Sequence, residues 1–360
     1  MIPFIILLIV LILQGLYMSQ SGEKYSKRYI ILALIEVVFV AGFRLPVDEA
    51  SDTYAYTLMY TEFAGVNKFV DLFDYGYEIG YYSFCWLLSK ISKDPQLLLF
   101  ASSLFMVGCV FYFIYKHSKE VWLSVVLYIT MMHFFFALNG MRFAMACSIL
   151  LFATEPIINR NALKFFVVVA LAMSFHFTAV IYLFTYFLYP LRLSKKQMLL
   201  IAIPFYLVSK FFMSVFEVLI MINPRYASYA GVQGDFYQSS YANILIFLLN
   251  LYFFYIVYKK EKKPLQMLQG SNKYYMMACF MTVLFSLMAI DVMMITRFVT
   301  MFSIFFIIYI PNLLKQNCDK VEYRHRVTSL LIITIAQVVV ILTYRPEWYL
   351  VTPYRSCLFK

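Results

Sequence analysis

Charge is what this chain has least of. Only 14% of its 360 residues are Asp, Glu, Lys or Arg, while 63% are hydrophobic and 20% aromatic. A soluble domain carries about 25% charged residues. The longest polar stretch is the Arg44–Asp74 loop, so no soluble domain has room in the chain. The six cysteines (Cys85, Cys109, Cys147, Cys279, Cys318 and Cys357) form no C-x-x-C and no metal-ligand spacing, and most read as small core residues. No repeat of 20–50 residues and no low-complexity segment is evident. The N-terminal MIPFIILLIVLILQGLYM has neither a basic n-region nor an A-x-A site, and reads as a retained first span. The ending Cys357-Leu-Phe-Lys fits C-a-a-X only formally, because lysine is not a usual last residue there.

Long apolar runs fill the remainder. At about 20 residues per crossing, spans are expected at 2–18, 29–43, 96–115, 121–138, 141–158, 162–175, 177–191, 197–219, 242–259, 273–291, 297–314 and 326–343. The fold class is therefore all-α: a single polytopic integral membrane domain over 1–360, with about twelve transmembrane helices and both ends outside. The two short spans around His176 also read as one bent hairpin. Residues 44–95 form a large first outer loop, and 220–241 a second. Within the first, Gly76–Ile91 is apolar but short; counted as a span, it would reverse every later loop, so it is expected to be re-entrant or interfacial. Nineteen of the thirty basic residues then fall in inner loops, which is the bias that orients helices in a bilayer. The net charge of +11 is accounted for by those loops, and no nucleic-acid partner is expected.

One stretch stands out, Asn139–Ile149 (NGMRFAMACSI). Arg142 follows the helix-breaking Asn139-Gly140 and enters an apolar run. Translocon scales put an arginine at a helix centre at roughly +2.5 to 3.5 kcal/mol. It would be kept to bind an anion, to pair with a carboxylate, or to snorkel to the headgroups. Arg44 (AGFR), Arg225 (NPRY) and Arg297 (MITRF) also stand at outer ends of apolar segments. Arginine's planar fork of donors suits phosphate oxygens, and convergence of these four would make a diphosphate site. Separately, each would snorkel or meet a nearby acid.

His176, in SFHFTAV, is the histidine expected near the outer face within apolar sequence. It is either a base for a sugar hydroxyl or a hydrogen-bonding tie in the 162–191 hairpin. The first loop interleaves Asp48, Glu49, Asp52, Asp71, Asp74 and Glu78 with Tyr54, Tyr56, Tyr60, Tyr75 and Tyr77. Carboxylates beside aromatic rings suit carbohydrates, and they equally suit an ordinary solvated loop. Inside the spans, Lys210 and Glu217 lie seven apart and are expected to couple. Glu36 and Glu155 would pair or relay protons.

In order, AGFR44, D52TY54, YGYE78IGYY, NGMR142FAMACSI, SFH176FTAVIYL and R297F resemble the EpsG-type family of bacterial polysaccharide polymerases, akin in role to Wzy O-antigen and capsule polymerases. The likeness covers about residues 29–315. The family pattern has Gly-Thr before the aspartate where this chain has Ala50-Ser51, and a glutamine where it has Phe143. The resemblance implies a GT-C-like architecture in the bacterial cytoplasmic (inner) membrane, with the active site facing outward. It implies joining of undecaprenyl-diphosphate-linked repeat units into O-antigen, capsule or exopolysaccharide, by an inverting, metal-independent transfer without cofactor. A chain-length regulator and a flippase are expected partners. On that reading His176 and Arg142 are catalytic, and Arg44, Asp52, Tyr54, Glu78, Arg225 and Arg297 bind substrate. The alternatives are a glycosyltransferase using a polyprenyl-phosphate sugar, with a first-loop carboxylate as base, and a flippase of lipid-linked glycans.

Overall fold

The computed structural model describes residues 1–21, 25–76, 78–211, 221 and 241–358. Its helices, in chain order, are α1 (Ile2–Met18), α2 (Tyr25–Gly42), α3 (Asp52–Gly65), α4 (Ile79–Ser89), α5 (Gln96–His117), α6 (Val121–Thr130), α7 (His133–Asn139), α8 (Met141–Leu150), α9 (Thr154–Ile158), α10 (Ala162–Phe175) and α11 (Leu183–Leu188). There follow α12 (Lys195–Lys210), α13 (Tyr241–Lys260), α14 (Gly270–Met288), α15 (Thr296–Ser303), α16 (Phe306–Asn317) and α17 (Lys320–Tyr344). No named strand occurs among the described residues; Arg44 and Ser356 form an isolated bridge.

Among the described residues, four helical segments are long and apolar enough to cross a membrane: Gln96–His117, Met141–Ile158, Ala242–Lys260 and Lys320–Tyr344. Two bent pairs raise this to six: α6 with α7, bent by 53°, and Met293–Ser303 with α16, bent by 41°. All six overlap expected spans. Among the described residues the protein is thus an all-helical membrane protein with four to six such segments, where the sequence leads to about twelve. The apolar helices Ile2–Met18, Ala162–Phe175 and Phe177–Leu188 are shorter than 18 residues, and 212–219 of the expected span 197–219 lies outside the described residues.

The chain divides into two compact units, 1–188 with 318–360, and 189–317. In the first, α6 is the central helix: VWLSVVLYIT is apolar nearly all round, and every residue from Val121 to Thr130 is buried. Around it pack α1, α2, α5 and α17. α1 turns Phe4, Leu7, Leu11 and Gly15 inward, one face at helical spacing. A Cβ at Gly15 would meet Trp122 Cγ at 3.0 Å, so glycine sets how closely α1 approaches α6. Ile2, Ile5, Ile6, Ile9 and Leu13 stay exposed on the other side.

This unit has two distinct ends. At one, Phe4 stacks edge-on against Phe135, Gln96 donates to the Gly42 carbonyl, and Thr53 N donates to Asn139 Oδ1 at 3.2 Å. At the other, Tyr25 donates to Glu120 and Arg160 to the Tyr186 carbonyl. Because Gly42 and Gln96 meet, residues 43–95 leave and return at the same end. That segment contains α4, only 11 residues long. Lys27, Arg28, Lys116, Lys119 and Arg160 belong to the opposite end.

In the second unit, α14 packs against α12, α13 and α15, and Phe306–Leu314 of α16 is wholly buried. Lys210 was expected to couple to Glu217, which lies outside the described residues. It pairs with Asp291 at 2.7 Å, where Ser209 also donates at 2.9 Å. In the first unit, Glu36 accepts from Gln14, and Glu155 lies 3.9 Å from His117.

Candidate active site

Three elements meet at the Gly42–Gln96 end of the first unit. α7 stops at Asn139, and Gly140 lets α8 begin at once. Arg142 is therefore the second residue of a helix whose first N–H groups have no intrahelical acceptor. Glu78 stands at the start of α4. His176 ends α10 in an extended conformation and begins the short 3-10 turn Phe177–Tyr182, so it is the tip of the 162–188 hairpin.

Glu78 joins all three. Its Oε2 accepts from Arg142 Nη1 at 2.6 Å, and its Oε1 accepts from Phe177 N at 3.3 Å while lying 4.0 Å from His176 Nδ1. The rings of Tyr56 (α3) and Tyr81 (α4) lie 5.3 and 5.7 Å from the Arg142 guanidinium carbon, within cation–π range. Burial raises the Tyr81 phenol well above its ordinary pKa, so it stays neutral. Of the reasons for keeping Arg142, the structure supplies the carboxylate partner. The guanidinium keeps its Nε without a hydrogen bond, and its side chain remains 26% exposed, so the pair is accessible.

Two groups of Thr178 meet His176 Nδ1: the backbone N–H at 3.3 Å and the hydroxyl at 2.7 Å. When Nδ1–H donates to the nearer hydroxyl, the ring lone pair lies on Nε2, the tautomer a proton acceptor needs. Phe143, edge-on at 5.4 Å, fixes the ring plane. Neither Thr178 nor Tyr81 stands out in the sequence alone. Their signal was present as spacing, since Thr178 lies two residues beyond His176 and Tyr81 three beyond Glu78.

Gly80 brings α4 onto α10. A Cβ there would press into the Ser174 side chain and lie 3.0 Å from Phe175 Cδ2. Gly80→Ala is expected to cost about 1–3 kcal/mol by overpacking and, by moving Glu78, to lower activity. The melting temperature and turnover of Gly80→Ala with and without Ser174→Ala check this, with the second change expected to recover part of both.

The other sequence-derived residues separate. Arg44 is buried and directs Nη1 to the Ala41 carbonyl and to Ser103 Oγ (3.0 Å), and Nη2 to the Leu138 carbonyl at 2.7 Å. Most of its donors are spent in tying α2 to α5 and α7. Arg297 belongs to the second unit, where it has no hydrogen-bond or ion-pair partner among the described residues. Arg225 lies outside the described residues. The four-arginine cluster is therefore not assembled within the first unit. Asp52 is exposed on the first turn of α3, whose N-cap is Ser51, and Tyr54 on the same helix lines a cleft.

No curated protein and no solved structure matches this chain. The family comparison is positive: the model described as "EpsG family" matches residues 27–356, nearly the whole length. It reaches past the expected limit near 315 to take in α17 and the segment behind it. This chain therefore belongs to the EpsG family, whose role is polysaccharide-polymerase-like and glycosyltransferase-like.

Proposed function

We propose that the protein polymerises undecaprenyl-diphosphate-linked oligosaccharide repeat units at the outer face of the bacterial cytoplasmic membrane. The observation that carries this reading is the meeting of Arg142, Glu78 and His176, from distant parts of the chain, at the end opposite Lys27, Arg28, Lys116, Lys119 and Arg160. By the basic-loop bias, that opposite end is cytoplasmic. The full count of about twelve spans, with both termini outside, belongs to the same reading.

The reaction is a single displacement with inversion. A hydroxyl oxygen of the acceptor glycan bonds to the anomeric carbon of the donor glycan, and the bond to the undecaprenyl diphosphate breaks. The hydroxyl proton passes to His176 Nε2, and the electron pair leaves on the diphosphate. Arg142 and the first N–H groups of α8 stabilise the charge growing there. A diphosphate entering the site displaces Glu78 from one Arg142 amine. Glu78, Asp52 and Tyr54 orient sugar hydroxyls. A diphosphate is already an activated leaving group, so the mechanism calls for neither nucleotide nor metal.

One observation favours a second reading. Glu78 is a first-loop carboxylate at the centre of the cluster, as a transferase using a polyprenyl-monophosphate sugar would need for its base. Lipid-linked glycan analysis of a deletion strain distinguishes the readings. The polymerase predicts single undecaprenyl-diphosphate-linked units on the outer leaflet. Accumulation on the inner leaflet would instead indicate a flippase, and units short of one sugar a monophosphate-sugar transferase.

A further inference from the structure

A cleft of about 470 Å³ opens on the first unit beside the C-terminal segment, within the roughly 300–1,000 Å³ of small-molecule sites. We infer that it is the subsite for the acceptor glycan, a reading that rests on the proposed polymerase function, with Arg355 as a specificity-determining residue that the motifs do not include.

The C-terminal segment is laid across this end by backbone bonds. Leu45 N donates to the Arg355 carbonyl at 2.9 Å, and Cys357 N to the Phe43 carbonyl at 3.1 Å. Ser356 Oγ donates to Phe43 O and Tyr354 Oη to Val40 O, both at 2.9 Å. Held on both sides, the exposed Arg355 side chain lines the cleft together with Asp48, Glu49, Tyr54, Thr57 and Asp94. Among the described residues Arg355 forms no ion pair with these carboxylates, and its guanidinium has no hydrogen-bond partner; the carboxylates of Asp48 and Glu49 have none either. The cleft is thus lined by charged groups of both signs that do not close on one another.

This chemistry selects a polyhydroxylated ligand. Carboxylates accept from hydroxyls, the guanidinium donates, the Tyr54 ring offers a face, and Pro46 and Leu99 meet sugar C–H groups. Three carboxylates against one guanidinium repel a diphosphate, which separates this cleft from the anion site at Arg142. α3 connects the two. Tyr54 and Thr57 face the cleft, while Thr53 bonds to the Leu138 carbonyl at 2.9 Å and Tyr56 lies beneath Arg142. A glycan lying along α3 runs from the cleft toward the reacting centre.

The test uses the full-length protein in detergent and the host's own repeat-unit oligosaccharide, released from its lipid by mild acid. Calorimetry is expected to show binding to the wild type, weakened at least tenfold in Arg355→Ala and in Asp48→Asn, and unchanged in Arg142→Ala. With reconstituted lipid-linked units, the same two cleft variants are expected to raise the acceptor KM while kcat holds, and Arg355→Lys to recover part of the loss. Wild-type affinity and KM in both cleft variants, or no oligosaccharide binding by the wild type, would overturn the cleft whatever the protein's activity. Oligosaccharide binding that depends on Arg355, in a protein that does not extend lipid-linked units, would keep the cleft and refute the polymerase.

Discussion

Arg142→Lys is expected to abolish long polysaccharide as completely as Arg142→Ala, with single lipid-linked units accumulating in both. Lysine keeps the charge but offers a point ammonium in place of the planar fork that meets two phosphate oxygens at once. Removing one preorganised group that stabilises transition-state charge typically lowers turnover by about 100- to 1,000-fold. The structure sharpens the test because Arg142 also has a carboxylate partner, Glu78, at 2.6 Å. If pairing were its whole task, exchanging the two residues (Arg142→Glu with Glu78→Arg) would restore both fold and activity. The expected outcome is a protein that recovers thermal stability and makes no polymer, because the guanidinium then stands on α4 and not at the start of α8. Normal chain lengths in the exchanged protein would remove Arg142 from the chemistry.

The second large effect is expected at His176. A general base contributes about 100- to 10,000-fold, so His176→Ala should lower kcat by that order while binding of the lipid-linked donor stays within a few-fold of wild type. Thr178→Val supplies the finer measurement. It removes the hydroxyl 2.7 Å from Nδ1 and leaves the backbone N–H at 3.3 Å, which favours the tautomer with its proton on Nε2. The expected loss is roughly fivefold in kcat, matching about 1 kcal/mol for one hydrogen bond, with the donor KM unchanged. Equal losses of donor binding and turnover in His176→Ala would make the histidine a tie within the hairpin.

What could be read in advance varied by element. The 121–138 span was legible as an apolar run, but its break after Thr130, where α6 gives way to α7 at 53°, was not. Arg142 was legible because its cost in apolar sequence demands a compensating partner, although nothing local named Glu78, sixty-four residues away. Arg44 shows the limit of that logic. Its context, AGFR at the end of an apolar helix, matches that of Arg142, yet its guanidinium ties down backbone carbonyls at 138 and 41. Two arginines in the same sequence setting thus take different roles, according to which acceptors the packing brings near. Arg355 was invisible for a related reason: it lies outside the motifs, and only the backbone bonds to Phe43 and Leu45 carry it to a cleft.

The amino-acid sequence by itself determined that the chain is helical, enters a membrane, and carries Arg142 and His176 in apolar surroundings. These properties follow from composition and spacing, which act within a few turns of helix. Only the tertiary structure decided that Glu78 stands between Arg142 and His176, that Arg44 serves the fold, and that the C-terminal segment borders a cleft. Hydrogen bonds and ion pairs form over about 3 Å between groups far apart along the chain, and packing alone fixes which of them meet.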